Sequence, residues 1–193
     1  MKRFLLLLSF LVSFGAVSQE ITVTNQVFTI IYSESLEQPL DVEYRVDCWN
    51  GTHSRKGMDF YRHPHVHTSD AKDYYKNVWD KGHMAPAAAF KCTEDELRAT
   101  FMYVNCALQH EGLNRGPWKY LEAYERELAE QYGYVDVQII VHFTKNPRRV
   151  PAGASIPKAF TKIITLPNGK SLSYTMPNKD VRDHKFQEFQ SIN

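Results

Sequence analysis

A histidine, two asparagines and a glutamate, set at short spacings, are the residues in this sequence best suited to chemistry. His83 follows Gly82 in the run Asp80-Lys81-Gly82-His83-Met84-Ala85-Pro86-Ala87. Histidine is the side chain that can serve as a base near neutral pH. Glycine lets the backbone approach a neighbour closely or take φ > 0. Downstream comes Asn105, then Asn114 nine residues later, then Glu122 eight residues after that. Amide and carboxylate oxygens of this kind suit a hard divalent cation whose other positions are filled by water. They do not suit structural zinc, which asks for four Cys/His ligands at close spacing. Each residue also has an ordinary job open to it. Asn114 can cap a helix, Glu122 can pair with Arg126 at i,i+4, and Asn105 can end a strand.

The elements that must position these residues are legible as patterns. Val27 to Ser33 is apolar and β-branched, a strand. Asp41 to Trp49 alternates through Val42, Tyr44 and Val46, a half-buried strand. Asn50 to Asp70 is polar and rich in histidine and glycine, a loop, and Ala71 to Asn77 reads as a short helix. Thr93-Glu94-Asp95-Glu96 has the form of a capping box, which opens a helix running to Thr100. Phe101 to Cys106 reads as a buried strand. Pro117 suits the first turn of a helix. Trp118, Leu121, Tyr124 and Leu128 recur at helical spacing towards Tyr132, where Gly133 stops the helix. Tyr134 to Phe143 is a strand, and Ala159 to Thr165 with Ser171 to Met176 forms a hairpin about Pro167-Asn168-Gly169. Strands before and after a central strand and helix argue for an α+β fold rather than a regular parallel array.

The 193 residues, 43% hydrophobic and 23% charged, suit one domain with a full core. The first eighteen residues have a different character. Lys2 and Arg3 precede the apolar run Phe4 to Phe14, and small residues follow at Ala16-Val17-Ser18. This is the pattern of a secretory signal peptide, with a run too short for a typical membrane span. The expected division is a signal peptide over 1–18 and a single domain over 19–193, with an exported product, periplasmic or secreted, and no membrane association after cleavage. Loss of Lys2 and Arg3, with no acid in the same segment, takes the formal charge from +1 to −1. A polyanion must then be met by a local patch rather than by the field of the whole molecule. Cys48, Cys92 and Cys106 allow one disulfide and one thiol in an oxidising compartment, with three pairings open.

Taken together, these residues resemble the DNA/RNA non-specific endonucleases of the ββα-metal, or His-Me finger, superfamily, which includes secreted bacterial nucleases and endonuclease G. The family's Asp-Arg-Gly-His motif, with its Leu/Met-Ala-Pro-like continuation, is matched by Asp80 to Pro86, with Lys81 where arginine is usual. Its following Asn, Leu-Asn-x-Gly-x-Trp and Leu-Glu are matched by Asn105, Leu113 to Trp118 and Leu121-Glu122. Arg55 to Phe60 looks like its Arg-x-x-x-Asp-Phe, and Ile156 to Lys162 like its Val/Ile-Pro-x-x-Phe-x-Lys strand. Leu108-Gln109 stands where the family often shows Pro-Gln. The chain stops at Asn193 where relatives usually continue into a helix, so its last ten residues are expected to pack loosely.

The resemblance implies a ββα-metal core within a mixed, mainly antiparallel sheet and helices. It implies Mg²⁺, or Mn²⁺ in its place, held directly by Asn114, with Asn105 and Glu122 holding waters around the ion. It implies that His83 is the general base for in-line attack of water on phosphorus, leaving 5′-phosphate and 3′-hydroxyl ends. Arg55 would hold the phosphate and neutralise charge growing in the transition state. Arg55, Lys81 and Arg115 would contact substrate. Arg55, Lys56, Arg62, Lys81, Arg115 and Lys119 would form the patch that tracks a DNA or RNA backbone, while Lys145, Arg148 and Arg149 read better as a solvated loop. Two competing readings remain: a nucleic-acid-binding module of this fold that cuts poorly, and an exported metal-binding protein centred on His63, His65 and His67.

Overall fold

The computed structural model describes residues 20–191. The expected signal peptide lies outside them. Six strands form one antiparallel sheet: β1 (Glu20–Thr24), β2 (Phe28–Ser33), β3 (Gln38–Val46), β6 (Val135–His142), β7 (Ala159–Thr165) and β8 (Ser171–Pro177), in that spatial order. A separate antiparallel ribbon pairs β4 (Trp79–His83) with β5 (Cys106–His110). The helices are α1 (Glu94–Ala99), the single turn α2 (Glu111–Leu113) and α3 (Lys119–Tyr132).

The main sheet owes its one-sided burial to alternation. Along β6, Val135, Val137, Ile139 and Val141 are buried, and the residues between them are not. The long helix covers that face through Leu121, Leu128 and Ala129, while Trp118, just ahead of it, meets the ring of Phe160 on β7 at 5.6 Å. Each such large apolar side chain contributes about 1.5–3 kcal/mol when taken out of water. The helix ends where the sequence indicates: Gly133 takes φ 89° and donates its N–H to the carbonyl of Ala129.

Four expectations change. Residues 71–77 form turns rather than a helix, because Lys76 sits at φ 51° and the carboxylate of Asp73 is committed to the N–H groups of Asp70 and Ala154. The expected strand at 101–106 is a tight turn at Tyr103–Asn105, with the strand starting only at Cys106. β1 is an edge strand that the pattern did not mark. The C-terminal residues up to Ser191 are pinned rather than loose. The ring of Phe186 lies 5.4 Å from Tyr124 and 5.7 Å from Tyr174, and Ser191 donates its N–H to the carbonyl of Ser173.

Candidate active site

The β4–β5 ribbon, followed by α2 and α3, forms the ββα unit on which the site is built. Along β4 the side chains alternate, so Lys81 and His83 share one face and Asp80 and Gly82 the other. The glycine is explained by close approach: a Cβ on Gly82 would lie 2.5 Å from Oε1 and 2.6 Å from Cβ of Gln109. His83 packs between the rings of Phe60 at 4.7 Å and Phe101 at 5.0 Å. Its Nε2 is shut off from solvent and has no hydrogen-bond partner among the described residues. Burial, and secondarily the charge of Arg55, lowers its pKa to about 4. The ring is therefore neutral at neutral pH, the state a general base requires.

The segment after His83 is clamped by Asn105. Its Oδ1 accepts from the N–H of Ala85 at 2.8 Å, and its Nδ2 donates to the carbonyls of Ala85 and Thr100 at 2.9 Å each. Asn105 is fully buried. This residue, expected among the catalytic and water-holding groups, is thus placed against the segment that follows His83. Its amide is spent on backbone, and it does not line the cleft.

Asn114 does face the cleft, and Asp80 decides which end it presents. Asn114 lies at the C-terminal end of α2, ahead of a π-type turn kinked at Gly116. Its Nδ2 donates to Oδ2 of Asp80 at 2.9 Å instead of capping the next helix. A carboxylate only accepts, so the amide nitrogen must face it and the carbonyl oxygen is left for the cleft. Arg115 grips the same carboxylate twice, through Nε at 2.8 Å and Nη2 at 2.6 Å. The substrate contact expected of Arg115 is thus a residue already paired.

Glu122 sits one turn into α3. Burial pushes its carboxyl up to about 7, although Lys162 and Arg126 favour the charged form. Arg126 donates to the Glu122 backbone carbonyl at 2.8 Å. Lys162, fully buried, bonds Oε2 of Glu125 at 2.5 Å and the Tyr44 hydroxyl at 3.2 Å. Burial alone would lower the Lys81 ammonium; the Tyr103 hydroxyl and the Asp59 carboxylate outweigh it and hold its pKa above the ordinary value.

One cleft of about 910 Å³ gathers Arg55, Lys81, His83, Asn114, Arg115 and Glu122. Lys91, Lys119 and Arg126 complete a set of six cations facing the single carboxylate of Glu122. Of these, Lys91 was not anticipated, and Arg126 was read only as a helix-pair partner. Its spacing from Glu122 and Lys119 puts all three on one helical face, a signal present in the sequence. Other expected backbone contacts lie elsewhere. Lys56 borders a smaller neighbouring pocket. Arg62 pairs with Asp70. His63, His65 and His67 do not assemble into a metal cluster: His67 turns to Glu37 at 3.5 Å, and no group of three His, Cys, Asp or Glu fit to hold a metal occurs among the described residues.

The model of the DNA/RNA non-specific endonuclease family matches residues 9–192. The chain belongs to that family. Among its relatives are the mitochondrial nuclease EXOG of Danio rerio, 30% identical over 147 residues, and the mitochondrial endonuclease G of Bos taurus, 29% identical over 159. The first alignment covers 66% of this chain and 42% of the relative, the second 72% and 52%. The chain thus spans about half the length of these relatives. A chain of the solved EndoG/EndoGI complex superposes with a TM-score of 0.76 at 25% identity, covering 89% of this chain and 80% of that one. The α+β architecture of this family member is accordingly the ββα-metal nuclease fold.

Proposed function

We propose that the protein is an exported, Mg²⁺-dependent endonuclease that hydrolyses phosphodiester bonds of DNA and RNA with little sequence preference. The observation that carries this reading is the shared cleft. A histidine kept neutral by burial lies in it with the freed carbonyl oxygen of Asn114 and a ring of cations.

The donors fit a hard cation. Asn114 offers an oxygen whose orientation is fixed by Asp80, and Glu122 offers a carboxylate whose charged form such a cation would favour. So few protein oxygens suit Mg²⁺, which keeps most of its water and binds substrate phosphates. When bound, the ion would neutralise charge developing on the phosphorus oxygens and the departing 3′ oxygen. The chain's own residues do the rest. His83 takes the proton from the attacking water. Arg55, on the same cleft, pairs with the phosphate and offsets its growing charge. Phe60 and Phe101 hold the imidazole ring in place. Lys81, Lys91, Lys119 and Arg126 track the backbone, and contacts of that kind carry no base sequence.

Export is supported by the Lys2-Arg3, apolar and small-residue pattern at the N-terminus and by the disulfide between Cys48 and Cys92, a bond that persists in oxidising compartments. Secretion assays and fractionation of the producing cells test it. For the chemistry, plasmid DNA and RNA are incubated with the protein, with and without Mg²⁺. Cleavage of both, abolished by EDTA and lost in His83→Ala with the fold retained, is expected. Parent-rate cleavage by His83→Ala would refute the assignment of the base.

A further inference from the structure

The loop that carries Arg55 leaves the main sheet at Val46 and ends at Tyr61, whose N–H bonds the carbonyl of Phe101. Between those points Thr52 to Gly57 are exposed. The end of the loop is anchored by Asp59 on Lys81 and Phe60 on His83, and its first half, up to His53, is held against residues 91–92. Cys48 is joined to Cys92 across 44 residues of sequence. A Cβ on Gly51 would lie 2.1 Å from the carbonyl carbon of Lys91, so the two backbones pack directly together. His53 donates its N–H to the carbonyl of Lys91 at 3.1 Å. The cleft wall then takes Thr52, Ser54 and Arg55 from one side of this junction and Lys91 from the other.

We propose that the Cys48–Cys92 disulfide is a positioning device for the cleft: it holds Arg55 in place against the substrate phosphates, so that reducing this single bond lowers the rate of cleavage while the fold survives. The proposal rests on the nuclease reading above. The remaining cysteine, Cys106, is buried, and burial drives its thiol up to about 12, so it neither exchanges with the pair nor replaces a partner. Cys92 is the exposed member. A dithiol supplies two electrons and two protons: its thiolate attacks one sulfur of the pair, its second thiol closes to a cyclic disulfide, and Cys48 and Cys92 leave as two thiols. The hold lost is entropic and local, because the hydrogen bond of His53 and the seat of Gly51 alone must then keep an exposed loop against the 91–92 backbone.

The test compares oxidised and dithiol-reduced protein in two backgrounds, wild type and Arg55→Ala, with plasmid DNA and Mg²⁺. Misplacing or losing one charge-stabilising group costs about 10- to 100-fold in rate. Reduction should lower kcat of the wild type by that amount with little change in KM. In Arg55→Ala, where the group is already gone, reduction should add less than about a twofold loss. Gly51→Ala, left oxidised, should reproduce the wild-type loss by pushing the two backbones apart. Hydrogen exchange at the His53 amide should speed up on reduction, while far-UV circular dichroism stays unchanged. An equal loss in both backgrounds, no loss in the wild type, or collapse of the circular dichroism signal overturns the proposal. The nuclease reading fails separately, by inactivity of the oxidised wild type, and in that case the exchange rate at His53 still decides whether the disulfide holds the loop.

Discussion

If the cleft binds Mg²⁺ as proposed, replacing Asp80 by alanine should weaken its hold on the ion without removing any group that would touch it. In the native protein the Asp80 carboxylate accepts from Nδ2 of Asn114 at 2.9 Å, and this bond turns the amide oxygen towards the cleft. A hydrogen bond to a charged group has a net worth of about 1.5–3 kcal/mol. If that energy orients the ligand, its loss corresponds to about a 10- to 100-fold weaker metal affinity, the range found for residues that orient metal ligands. The stability cost should be about 1.5–3 kcal/mol, set mainly by that bond, because the companion ion pair involves an Arg115 side chain that is 67% exposed and adds less than about 1 kcal/mol. Initial rates of plasmid nicking across a Mg²⁺ titration read the effect. The half-saturating Mg²⁺ concentration should rise by the stated factor, and saturating Mg²⁺ should largely restore the rate. Asp80→Asn should fall between, since its amide oxygen still accepts from Asn114 but without charge. Arg115→Ala should leave the Mg²⁺ midpoint in place. An unchanged midpoint in Asp80→Ala would refute the argument that this carboxylate sets the orientation of Asn114.

Further outcomes can be measured directly. His83, lowered to about 4 by burial and then by Arg55, should titrate in an NMR experiment well below the usual 6.5, and Arg55→Ala should raise its pKa only part of the way back. The unfolded chain holds this proton up to a higher pH than the folded one, so the group favours unfolding as pH falls from about 6.5 towards about 4; urea melts at the two ends of that window should show it. Lys162 and Glu125 are both fully buried, so Lys162→Met alone should cost about 3–5 kcal/mol by leaving a carboxylate unpaired. Adding Glu125→Leu should recover most of that loss in denaturant unfolding. Oligonucleotide binding should fall steeply with salt, and Lys91→Ala should reduce the slope of log affinity against log salt by about one.

The helix and the hairpin strands were legible because they bury one face and their patterns say so. Leu121 and Leu128 recur on one side of α3, and Val135 to Val141 alternate. The cleft residues were legible as types and spacings on adjacent elements: His83 on the ribbon, Asn114 and Glu122 just after it. What the pattern hid depends on contacts distant in sequence. Asn105 has the composition of a ligand, yet its amide closes on Ala85, twenty residues away, and on Thr100. Asp80 is visible in the sequence only as the first residue of its motif, and its partners are 34 and 35 residues downstream. Lys91 lines the cleft next to Cys92, which bonds Cys48, one of three pairings the sequence allowed. The run at 71–77 has helical composition, and a left-handed Lys76 with a committed Asp73 overrides it.

The five-residue strand β4 also constrains how the gene can vary. It carries His83 on one face and Asp80 on the other, opposite Cys106 and Gln109 of its partner. Because side chains alternate, sliding this strand by a single position exchanges the two faces. A one-codon insertion or deletion between Asp80 and His83 would therefore turn the imidazole away from Phe60 and Phe101 and leave Asn114 without its carboxylate. The main sheet, which makes no use of that register, would stay assembled. Short insertions and deletions in this strand should yield folded, inactive protein, whereas the same lesions in the exposed turn at Pro167–Lys170 should leave an active one.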